Sequence, residues 1–138
     1  MLKLIFAISV FLFLGSPFAN AEQVYYCTTE LAVGITYDEN TRTWKKQSFK
    51  PERYTIKFND DYTEVEGVDP ATSWECKDAH YDYDSDTRIC FSRQANGESF
   101  QFMKKYLRFL LLNTSVNGYV RKDPRNDNLM SAGTCEKF

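Results

Sequence analysis

Val24-Tyr25-Tyr26-Cys27 near the start of the chain and Gly133-Thr134-Cys135 at its far end are the two stretches that decide the fold. The first is rich in aromatic and β-branched residues, which suit a pleated, half-buried surface. The second ends in a cysteine only three residues from the terminus. A Cys27–Cys135 bond would staple the first strand to the last and make everything between them one closed loop.

Whether these cysteines are oxidised depends on compartment, and the leader bears on that. Met1-Leu2-Lys3 is a short basic start, Leu4 to Leu14 is an uncharged apolar run, and Gly15-Ser16-Pro17 breaks it. Ala19-Asn20-Ala21 then supplies the small residues that signal peptidase needs. This is the pattern of a secretory signal peptide over residues 1–21. The apolar run is about half of the ~20 residues that a spanning helix requires. The expected product is a single disulfide-bonded β domain over residues 22–138. It is exported to the periplasm of a Gram-negative bacterium or to the extracellular space, with no stable membrane insertion after cleavage.

The four cysteines are Cys27, Cys76, Cys90 and Cys135. An even count in an exported chain reads as disulfides, and four allow three connectivities. The expected set is Cys27–Cys135 with Cys76–Cys90, one closing the ends and one closing a short ring around an acidic segment. In the chain-entropy view the short ring contributes ~3 kcal/mol and the long one ~4–5 kcal/mol. Zinc is disfavoured, because the spacings are wide and no Cys-x-x-Cys is present.

The strand signals extend outward from these anchors. Val24–Thr28 and Leu31–Tyr37 read as strands, and Val33, Ile35 and Tyr37 alternate with Gly34 and Thr36. Asp38-Glu39-Asn40-Thr41 is turn chemistry. Tyr54, Ile56 and Phe58 share one face of the clearest strand, after Pro51, which cannot donate to a ladder. Ile89 and Phe91 share a face between Arg88 and Arg93, and Asn96-Gly97 signals a hairpin. Residues 99–113 carry both a strand alternation, at Phe100 and Phe102, and the polar spacing of a helix at Gln101, Lys104, Lys105 and Arg108. The hairpin signal before them favours two strands turning near Lys104-Lys105. Asn117-Gly118 signals a further hairpin, and Leu129–Phe138 reads as the closing strand. About eight short strands imply a mainly β fold, an antiparallel barrel or sandwich.

Composition excludes some functions. The chain has 17 basic and 19 acidic residues and a formal net charge of −2. No basic stripe marks it for nucleic acid. His80 is the one histidine, no Gly-x-Ser-x-Gly stands around any serine, and the cysteines are spoken for. No catalytic residue and no cofactor is therefore expected. Asp82, Asp84 and Asp86 alternate like the first ligands of a calcium loop. The sixth and twelfth positions of that pattern hold Thr87 and Arg93, where Gly and Glu are required. Asp78 and these three are expected to form a hydrated loop without a tight metal. Asn113-Thr114-Ser115 fits the N-glycosylation acceptor. Among the aromatics, Tyr25, Trp44, Tyr62, Tyr81 and Tyr83 fall at strand ends or in polar turns and are expected at the surface. Trp44, Tyr62, Tyr81 and Tyr83 are the candidate interaction surface, since Tyr and Trp often anchor interfaces.

Tyr26-Cys27, Cys135 and the chain length together resemble the periplasmic inhibitors of c-type lysozyme, small exported β-barrels with end-to-end disulfide closure. The Ser-Ala-Ser-Gly-type inhibitory loop of that family is absent here, so the resemblance carries over no functional residue. The sequence thus points to an exported, non-enzymatic binding or interaction module whose partner is a protein. The alternatives are a barrel enclosing a small apolar ligand, with residues 107–112 as lining, and a lysozyme-inhibitor-like protein.

Overall fold

The structure, a computed structural model, describes residues 22–69, 73–79, 86–94, 97–114 and 127–138. Strand β1 (Gln23–Asp38) is 16 residues long and organises the rest. The short strands β2 (Thr43–Ser48) and β3 (Arg53–Phe58) both run back along one of its edges. Val33–Asp38 pair with β2 and Gln23–Thr28 with β3. Pro51 lies in the gap between them. Hydrogen bonds from Phe49 N to Ala32 O and from Thr29 N to Glu52 O, both 2.9 Å, carry the chain across it.

The remaining strands are β4 (Glu64–Glu66), β5 (Trp74–Asp78), β6 (Thr87–Ser92), β7 (Glu98–Met103), β8 (Arg108–Thr114) and β9 (Asn128–Lys137). Each pairs antiparallel with the next, and β9 returns to the second edge of β1. The result is a closed eight-stranded barrel of β1 and β3–β9, with β2 as a ninth strand on the projecting half of β1. Closure removes the free edges that an open sheet would expose.

Both disulfides are Cys27–Cys135 and Cys76–Cys90, as expected. Each joins residues directly opposite on neighbouring strands, with Cα atoms 3.9 Å apart. Cys135 N donates to Leu107 O and Cys76 N to Thr63 O, away from the bonded partner. These are therefore non-hydrogen-bonded cross-strand pairs, the closer of the two antiparallel pair types.

Local chemistry explains the turns. Asp38 Oδ1 accepts from Asn40 N at 3.0 Å, and Asp38 is also paired with Lys45 at 2.8 Å, which fixes the β1–β2 turn. Asn59 Oδ1 accepts from Thr63 N and Glu64 N at 2.9 and 3.0 Å in the β3–β4 turn. The ambiguous stretch is two strands joined by a turn over residues 104–107. Phe100 and Phe102 are buried on alternate positions of β7, and Leu107 takes a left-handed φ of 52°. Burial of both phenylalanines on one face outweighs the helical spacing of the polar residues.

The core is aromatic. Phe58, Phe102, Val65 and Cys90 are fully buried, with Ile56 and Trp74 at 1 % exposure. Tyr25 is also buried, at 2 % exposure, which corrects its expected place at the surface. It stands in phase with Cys27, so its ring meets Phe58 and Phe102 at centroid distances of 6.1 and 4.9 Å. Its neighbour Tyr26 is the exposed one and packs on Phe138.

A β-bulge at Thr29/Leu31 resets the phase of β1. Tyr25, Cys27 and Thr29 face inward before it, and Ala32, paired with buried Ser131, faces inward after it. Val33 and Ile35 consequently lie on the outer face. Gly133 faces inward at the bulge, where a Cβ would meet the Thr28 carbonyl and the Phe109 ring.

Two substitutions test this packing. Phe58→Ala is expected to lower unfolding free energy by ~3–5 kcal/mol in denaturant melts. Gly133→Ala is expected to cost about 1–3 kcal/mol, because backbone as well as side chain must give way.

Candidate functional site

The two ends of the barrel differ in chemistry. At the end where β1 begins and β9 finishes, Tyr62 packs over Phe58 with ring centroids 5.0 Å apart. Burial raises the Tyr25 pKa, and the 2.6 Å hydrogen bond that its hydroxyl shares with that of Tyr62 raises it further. Lys104 Nζ lies 5.0 Å from the Tyr62 ring centroid. That end is capped by aromatics and cations.

The opposite end is a mouth. Alternation carries Tyr54, Trp74, Glu98, Leu111, Asn113 and Leu129 toward the interior above the aromatic floor, and they border a cavity of about 420 Å³. Glu52, Arg53 and Asp69 stand at its rim. Eight-stranded barrels are wide enough inside to hold one small ligand.

Each lining group has a structural reason to be there. Glu98 opens β7 two positions before Phe100, on the same face, and is directly opposite Asn113 of β8. Trp74 opens β5 two positions before Cys76. Tyr54 shares the inward phase of Ile56 and Phe58 on β3, half-buried, with its ring edge on Phe109 at 5.9 Å. Its hydroxyl donates to Glu52 Oε2 at 2.9 Å. Burial, then that carboxylate, pushes the Tyr54 pKa up to about 12, so the phenol stays protonated.

Two polar atoms in these walls are shut off from solvent and have no hydrogen-bond partner: Trp74 Nε1 and Glu98 Oε2. An unsatisfied buried group costs about 1–3 kcal/mol, more when charged. Burial raises the Glu98 pKa above the usual carboxylate range, and the charge of Asp69 adds to the shift.

No family model, curated protein or solved structure matches this chain.

The candidate residues from sequence are scattered. Trp44 lies on β2, half-buried, with its ring 5.5 Å from Tyr37. Tyr62 is at the opposite end, in the β3–β4 turn, so the two do not form one patch. Tyr81, Tyr83, His80, Asp82 and Asp84, and the Asn117-Gly118 turn, lie outside the described residues. Asp86 is 3.7 Å from Lys104 Nζ, and Asp78 is ion-paired with Arg88. Among the described residues no three His, Cys, Asp or Glu side chains are grouped for a metal. Asn113 of the glycosylation sequon is half-buried at the mouth.

Of the apolar run 107–112, Leu111 lines the mouth, whereas Leu112 lies outside. Leu112 pairs with Met130, and Met130 with Val33, forming an apolar row across β8, β9 and β1 beside Lys46. Sequence reasoning missed Trp74 and Glu98 as site residues. The signal for Glu98 was its phase: an acid in step with two core phenylalanines faces a barrel interior.

Glu98 supplies a pH test. Its folded pKa is raised, so between the ordinary carboxylate pKa and the raised one the folded state holds more protons than the unfolded state. Stability therefore falls as pH rises through that window. Glu98→Gln is expected to raise the melting temperature at pH 7 and leave it nearly unchanged at pH 3, read by calorimetry at both values.

Proposed function

We propose that this domain is an exported, non-enzymatic binding module that takes a small molecule at the barrel mouth. The observation that carries the reading is the pair of unsatisfied polar atoms, Trp74 Nε1 and Glu98 Oε2, in the walls of one cavity. Native interiors pair their buried polar groups, and a ligand is one way to complete the pairing. Ligand sites of this kind combine apolar and aromatic walls with a few convergent polar groups. Leu111, Leu129 and Tyr54 supply the walls, and Trp74, Glu98 and Asn113 the polar groups. The mixed lining favours an amphipathic ligand over a purely apolar one.

Export is supported by the leader sequence and by two disulfides, which persist in oxidising compartments. The non-enzymatic part of the reading rests on chemistry already committed elsewhere. All four cysteines are bonded, and the Tyr54 phenol is held protonated. The closed barrel and its end-to-end disulfide are the fold that the lysozyme-inhibitor resemblance implies, and that likeness supplies no residue at the mouth.

Tryptophan fluorescence tests the proposal. The chain has two tryptophans, so Trp44→Phe leaves Trp74 as the sole reporter. A panel of fragments small enough for the cavity is expected to contain members that shift Trp74 emission and raise the melting temperature as their concentration rises. A panel in which no member moves either signal rules the reading out.

A further inference from the structure

We infer that the ligand taken at the mouth is a small organic cation, an ammonium on an uncharged body that also carries an acceptor oxygen. This rests on the reading of the mouth as a ligand site and names the class of molecule that it selects.

Three observations converge on that class. Trp74 Nε1 is a donor and nothing else, so whatever completes it must present an acceptor. Trp74 borders the cavity and is 1 % exposed, so this unmet donor is buried and not on an open surface. Glu98 makes the opposite demand. An ionised carboxylate only accepts, and its buried oxygen is without a donor.

The third observation is charge. Among the described residues that border the cavity, Glu98 is the carboxylate with an unmet acceptor oxygen, and Arg53 is the one cation. Glu98 takes part in none of the ion pairs among the described residues. Tyr54 donates to Glu52, and Asn113 stands opposite Glu98; both are uncharged. A carboxylate ligand would suit Trp74 but would place a second anion beside Glu98. A neutral alcohol could hydrogen-bond to both atoms and would leave the charge of Glu98 without a counter-ion. An ammonium with an oxygen elsewhere on its body answers both atoms and that charge together. Charge-assisted hydrogen bonds of this type are shorter and about twice as strong as neutral ones.

The test sorts binding by charge at constant shape. The mature oxidised protein carrying Trp44→Phe is titrated with matched triplets in which only one group differs. Tyramine, tyrosol and 4-hydroxyphenylacetate form one such triplet: amine, alcohol and acid. Further triplets on aliphatic bodies complete the panel. At pH 7 the amines are expected to bind at least about tenfold tighter than their alcohols, with the acids weakest, a ratio that one charge-assisted bond can supply.

Glu98→Gln, which keeps an acceptor oxygen and removes the charge, is expected to bring each amine within about threefold of its alcohol. Asp69→Asn, which leaves Glu98 in place, is expected to reduce the amine preference only in part. Cooperative melting of both variants confirms that they are folded. Alcohols or acids that bind as tightly as the amines overturn the cation inference and leave the mouth as a ligand site. An amine preference that survives Glu98→Gln overturns the role given to Glu98, and with it the inference. Triplets that leave Trp74 emission unmoved in all three forms overturn both this inference and the reading of the mouth.

Discussion

The ladder between β1 and β9 is the constraint on which the other features depend. It runs from Tyr25 opposite Lys137 to Ile35 opposite Asn128, and the Cys27–Cys135 bond lies within it. Without it the eight strands would be an open sheet with two free edges. The bulge in the same ladder decides which side chains enter the barrel beyond Thr29. Ala32 and Gly34 go in, and Val33 and Ile35 go out. Adding a Cβ to Gly34 would strike the backbone at Asn128 and Leu129.

Stability and the recognition proposed for the mouth are divided along the barrel axis. The floor is a stack of Tyr25, Phe58, Phe100, Phe102 and Phe109, with ring centroids at 4.9 to 6.4 Å. Rings at these separations gain about 0.5–1.5 kcal/mol per pair beyond their burial. The mouth runs the other way. Trp74 Nε1 and Glu98 Oε2 are buried without partners. Such groups persist where the surrounding structure supports them, and sites of binding are where proteins accept that cost. The disulfides lie on the floor side of these groups, opposite Tyr54 and Phe100 in the ladders.

Much of the fold was legible in the sequence. The pairing of the cysteines followed from the positions of the end strands and the short acidic ring. The two strands of residues 98–114 followed from Asn96-Gly97 and the alternation of Phe100 and Phe102. What pattern alone could not supply was phase across the bulge. A one-residue insertion exchanges the faces of a strand, and nothing in Thr29-Glu30-Leu31 announces it. The same limit misplaced Tyr25, since Tyr25 and Tyr26 are equivalent until the inward position of Cys27 is known. The site was less legible than the fold. Aromatics and acids in polar turns look accessible in a sequence. The mouth is built from residues at the ends of core-facing rows, where a Trp or a Glu reads as one more strand residue.

The partnership of the first strand with the last also orders events in time. While the chain is being synthesised, β1 lacks its longest partner until Asn128–Lys137 emerges. The β5–β6 and β7–β8 hairpins have local partners and are free to form early. Closure must then bring together residues separated by 108 positions in sequence. Folds dominated by such distant pairings cross their barriers slowly, in milliseconds to seconds. The barrel thus acquires its mouth only in its final step. A chain arrested short of Cys135 would have most of its strands and no enclosed site.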